Sequence, residues 1–151
     1  AALLTRFAFE CCGAVDAKAI VGDSLDEDAD DAAWTQLLTA LGDQLGSKAQ
    51  PRAYPLHPTA GRGDAFEERF RGAWAEVVDA SARGDRGAYE ETAIALIIDV
   101  LTRLSGSAVA HARHVGGAGA MAVGDRLAEA ASSIDDRLVI AKRQLRAALG
   151  S

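Results

Sequence analysis

Residues 86–104 restrict what this chain can fold into more than any other stretch. Within them Tyr89, Ala93, Leu96, Ile97, Val100, Leu101 and Leu104 recur at three- and four-residue spacing, while Ile94 and Ile98 widen the apolar surface sideways. Only a thin stripe through Glu91, Ala95, Asp99 and Arg103 stays polar. A helix that is apolar around most of its circumference belongs at the centre of something, because water tolerates only its narrow polar side. Strand formers are scarce outside such helical runs, so the pattern predicts an all-α fold with this helix in the middle.

The other segments supply amphipathic neighbours. Residues 2–20 place Leu4, Phe7, Ala8, Cys11, Ala14 and Val15 on one face and predict one helix. Next comes an acidic stretch from Asp23 to Asp31, then Trp34, Leu37, Leu38, Leu41 and Leu45, which predict a helix over about 29–46 with acids at its positive end. Pro51, Pro55, Pro58, Gly61 and Gly63 mark 47–63 as a surface connection. Beyond it, Phe66, Phe70, Trp74, Val77 and Val78 predict a helix over 64–82, with Asp64 and Glu67 resembling a capping box. Ser105-Gly106-Ser107 should end or kink the central helix, Ser107 could cap a short segment at 107–115, and Gly116, Gly117 and Gly119 should loosen the chain between that segment and the last helix. The expectation is a single-domain helical bundle of four long helices plus a short fifth segment.

The last helix, 121–149, carries the most regular pattern. Leu127, Ala131, Ile134, Leu138, Ala141, Leu145 and Ala148 alternate steps of four and three, which is an a/d seam. Val139 and Ile140 fall off that seam, where a monomer should be polar. The seam alone does not say whether it packs inside the domain or on another chain. Charge is also unevenly placed: residues 16–31 hold seven acids against Lys18, whereas residues 137–146 hold Arg137, Lys142, Arg143 and Arg146 and no acid. Such asymmetry suits head-to-tail or symmetric contacts as well as ordinary helix-end polarity.

Composition narrows the partners. A net charge of −6 argues against a general nucleic-acid or anionic-membrane binder, because counterion release needs a basic face. No apolar run approaches a membrane span: Arg6 interrupts the first helix and Asp99 the central one. The opening Ala-Ala-Leu-Leu-Thr-Arg has no basic part ahead of its apolar part, so an export signal is not expected. Adjacent Cys11 and Cys12 supply no disulfide framework, which makes a cytoplasmic location the default.

Candidate chemistry is sparse. His111 and His114, three apart, are the candidate ligands for a transition metal or haem, with Cys11, Cys12, His57 or an acid completing the shell. The stretch from Ala112 to Gly117 with Val123-Gly124 resembles the region after the haem-binding histidine of bacterial globins, which would make His114 the iron ligand; a globin has two long helices after that point and this chain has one. Asp23-Ser24-Leu25 resembles the phosphopantetheine-carrying motif of acyl carrier proteins over three residues, but Asp28, Asp30 and Asp31 stand where that family continues an apolar helix. Asp26, Asp28 and Asp30 have the first spacings of an EF-hand, yet Asp31 and Leu37 replace its glycine and closing glutamate. Arg52 and His57 resemble the Arg-x4-6-His motif of HEPN-type ribonucleases, here set among prolines, and Arg62-Gly63-Asp64 is better explained as a turn. Asp99 pairs cheaply with Arg103 four residues on; in a cavity it would instead be a proton handler.

No nucleophile, base and orienting residue can be brought together from these positions. The expected function is therefore a non-enzymatic interaction module in assembly or regulation, with a protein partner or a second copy docking on Leu127, Ala131, Ile134, Leu138, Val139, Ile140 and Leu145. The alternative is a bundle that holds a metal, haem or small apolar ligand through His111 and His114.

Overall fold

A computed structural model describes residues 1–23, 25, 29–47, 55–56, 63–81 and 91–150, with backbone alone at 47, 63, 64 and 91. The described residues form helices α1 (Ala2–Cys11), α2 (Ala17–Val21), α3 (Asp31–Ser47), α4 (Gly63–Ser81), α5 (Glu91–Ser105) and α6 (Ala110–Leu149), with no strand among them. The fold is all-α. The motifs at Ser24, Asp26, Asp28, Arg52, His57 and Arg62, the side chain of Asp64, and the start of the central helix at 86–90 lie outside the described residues.

Two boundaries differ from expectation. Residues 2–20 form two helices, because Gly13 turns the chain at a φ of 93° and Asp16 starts α2 by accepting the Ala19 N–H at 2.9 Å. Val15 consequently leaves the apolar face and is 70% exposed, its N–H donating to Gln44 Oε1. The second difference is larger: the short segment at 107–115 and the last helix are one continuous helix of 40 residues, with Gly116, Gly117 and Gly119 inside it.

Those glycines include two contact points. A Cβ on Gly116 would run into the backbone of Leu104 and Ser105, and one on Gly119 would meet Leu101 Cδ2 at 2.7 Å and the Trp74 ring at 3.2 Å. Bare backbone here lets α6 cross α5 and α4 at close range. Among the described helices the α5/α6 interface is the most extensive, followed by α4/α6.

The core collects one side of every helix. Ile97, Val100, Leu101 and Leu104 of α5 are buried with Phe9, Trp34, Leu41, Phe70, Trp74, Val78 and Val115. Phe7 meets Trp74 edge-on at 5.6 Å and stacks on Phe70 at 6.4 Å, which seats α1 on α4. Asp30 caps α3 by accepting the Ala33 N–H at 2.8 Å. Arg103 holds Asp99 at 2.9 Å and Asp31 at 2.8 Å with its guanidinium over Trp34, and so joins α5 to α3. Asp99 is therefore part of a polar stripe. Arg126 binds Asp79 at 2.8 Å and joins α6 to α4.

Cys11 and Cys12 are both buried, and burial, assisted by the Glu10 carboxylate, pushes the Cys11 thiol up to about 12; Cys12 is raised further by burial and by Cys11. Neither thiol should react with a disulfide reagent at pH 8 until denaturant is added, when both should. Because the folded chain keeps its thiols neutral while the unfolded chain ionises them near 9.0, the stability they support is complete below that pH and falls as pH rises beyond it. Prompt labelling of either cysteine in the native protein would contradict this burial.

Candidate interaction surface on the last helix

The sequence of α6 divides into two parts with different surroundings. Its first part buries Ala112, Val115, Gly116, Gly119, Ala122, Val123 and Ala130 against the core. From Ala131 to Gly150 every residue is exposed. This distal part extends about 28 Å at 1.5 Å per residue, and along it Ile134, Leu138, Ile140 and Leu145 are each roughly half exposed (52%, 47%, 53% and 60%). A free helix of this length is marginal in water, since its stability in a protein comes mainly from packing an apolar face.

The exposed seam runs into a groove. Leu127, Ala131 and Ile134 of α6 face Ile94, Ala95 and Ile98 of α5 across an open apolar cleft of about 460 Å³. Ile98 is 49% exposed, so the central helix is enclosed on the side of Ile97, Val100, Leu101 and Leu104 and open on this flank. Periodicity does not single out the groove, although Ile94 and Ile98, lying beside the main apolar stripe, are its signal. Val139 and Ile140 are exposed as well, at 41% and 53%.

Charges on the distal part are not arranged to satisfy one another. Asp135 and Asp136 have no basic residue three or four positions away, whereas Lys142 and Arg146 stand four apart with like charge. Among the described residues no ion pair joins these groups.

The two candidate histidines face different elements. His111 Nδ1 lies 3.1 Å from the Cys12 carbonyl oxygen at the end of α1, a contact in which the ring nitrogen donates. His114 is exposed and lines a cleft of about 440 Å³ with Glu67, Phe70, Arg71, Arg113 and Met121. Among the described residues no group of three or more His, Cys, Asp or Glu side chains could hold a metal ion, and no helix is long and apolar enough to cross a membrane.

No family model matches the sequence, and no curated protein or solved structure matches it significantly.

Proposed function

We propose that the chain is a non-enzymatic helical interaction module that self-associates through the distal part of α6, with Leu127, Ala131, Ile134, Leu138 and Leu145 as the contact line and Val139 and Ile140 available to a second one. One observation carries this reading: beyond Leu127 a regular apolar seam continues along α6 through Ala131, Ile134, Leu138 and Leu145, and each of these four side chains is exposed. Burying such a seam is worth about 1.5–3 kcal/mol per large side chain, which supplies what an isolated helix lacks. Assembly or regulation is the role suited to a surface that joins chains and brings no reactive groups together. Mass spectrometry under native conditions and sedimentation should show an oligomer at micromolar concentration. A single-subunit mass persisting to the highest soluble concentration would overturn self-association.

The alternative, a bundle holding haem, a transition metal or a small apolar ligand, is favoured by the position of His114 in its cleft beside Phe70 and Met121. Elemental analysis and an absorption spectrum of protein expressed with haem supply test it. A metal-free, colourless product whose behaviour is unchanged by His114→Ala would remove it.

A further inference from the structure

Self-association through an a/d seam is compatible with two orientations of the helices, and the charges along α6 decide between them. Resting on the self-association reading, we infer that two copies pair their distal α6 segments antiparallel, and that the last turns of each helix occupy the α5/α6 groove of the other.

The four-and-three steps of the seam make Ala131, Leu138 and Leu145 equivalent and Leu127, Ile134, Ala141 and Ala148 equivalent, the a and d positions of a heptad. An antiparallel pair with its two-fold axis between residues 139 and 140 puts Leu138 against the partner's Ala141, Ile134 against the partner's Leu145, and Ala131 against the partner's Ala148. In the layer nearest the axis a large residue meets a small one, as close packing requires. In this register the partner's Leu145 and Ala148 arrive beside Ile134 and Ala131, which form the α6 wall of the groove, so that α5 closes over them with Ile94 and Ile98. The groove and the seam thus become one continuous interface.

The flanking positions supply the sign. On one side of the seam Asp135 faces the partner's Lys142, and symmetry makes the contact twice. The opposite flank pairs Arg137 with the partner's Gln144, which is neutral. A parallel pair in register would instead place Arg137 against the partner's Lys142, again twice, so that four cations would crowd the interface. The antiparallel arrangement also draws an acid toward the Lys142–Arg146 repulsion that α6 cannot relieve by itself.

Sedimentation equilibrium at low ionic strength tests this with charge reversals on exposed positions, helicity being checked by circular dichroism. Lys142→Asp and Asp135→Lys should each weaken the dimer about ten-fold, and the double reversal should return it to within about three-fold of the parent. If Lys142→Asp tightens the dimer, the chains are parallel and the inferred orientation is wrong while self-association stands. Three variants that all match a dimeric parent would likewise overturn the orientation alone. A parent that stays monomeric would remove the underlying reading.

Discussion

Gly116→Ala should lower the stability of the fold by about 3 kcal/mol, at the upper end of what overpacking a close-packed contact costs. The added methyl would meet the backbone of Leu104 and Ser105, which cannot rotate aside as a side chain can, so α6 would have to back away from α5 along the most extensive interface among the described helices. Gly117→Ala is the matched control. It lies next in the same helix with nothing within 4 Å of the new Cβ, so the substitution should stabilise by about 0.5–1 kcal/mol through helix propensity alone. Urea unfolding of the two variants reads the contrast directly. Equal effects would mean that the helices do not cross closely at Gly116.

Leu138→Glu should abolish self-association, raising the dissociation constant by at least about a hundred-fold. In the antiparallel pair Leu138 lies next to the two-fold axis, so one substitution introduces two desolvated carboxylates and deletes two buried leucines. The core should not notice, because 131–150 is exposed throughout. The distal helix itself should respond. Hydrogen exchange at residues 132–149 should be slow in the associated parent and fast in the variant, while amides in α4 and α5 keep their protection. Unchanged exchange in a variant that still sediments as the parent does would exclude the seam as the interface.

Much of the fold is legible because its helices announce themselves by period. The apolar rows through Trp34, Leu37 and Leu41, and through Phe70, Trp74 and Val78, set α3 and α4 to within a residue or two. The Asp99–Arg103 pair also follows from spacing alone, as does an acidic cap ahead of α3. Punctuation is harder to read. Gly13 sits inside a helical pattern that continues on both sides of it, which hides the break, and the Asp16 cap three residues later is the signal that marks it. The glycines at 116–119 mislead the other way. A glycine that loosens a helix and one that admits a neighbour are the same residue, and they are told apart only by whether backbone lies against it, as that of Leu104 and Ser105 lies against Gly116.

The histidine pair shows a related limit. Three-residue spacing puts His111 and His114 on neighbouring parts of α6, but helices from elsewhere in the chain determine what each ring meets: the end of α1 for one, α4 for the other.

By itself, then, the sequence determined the all-α class, the apolar side of each helix and an uninterrupted seam from Leu127 to Ala148, because these depend only on periodicity along one helix. Tertiary structure decided where that seam stops being internal. Among the described residues α5 and α4 pack on the first part of α6, so the seam is half-buried at Leu127 and exposed from Ala131 onward. Where along α6 its neighbours pack is recorded by no single segment, and it turns one half of an ordinary packing stripe into an exposed surface.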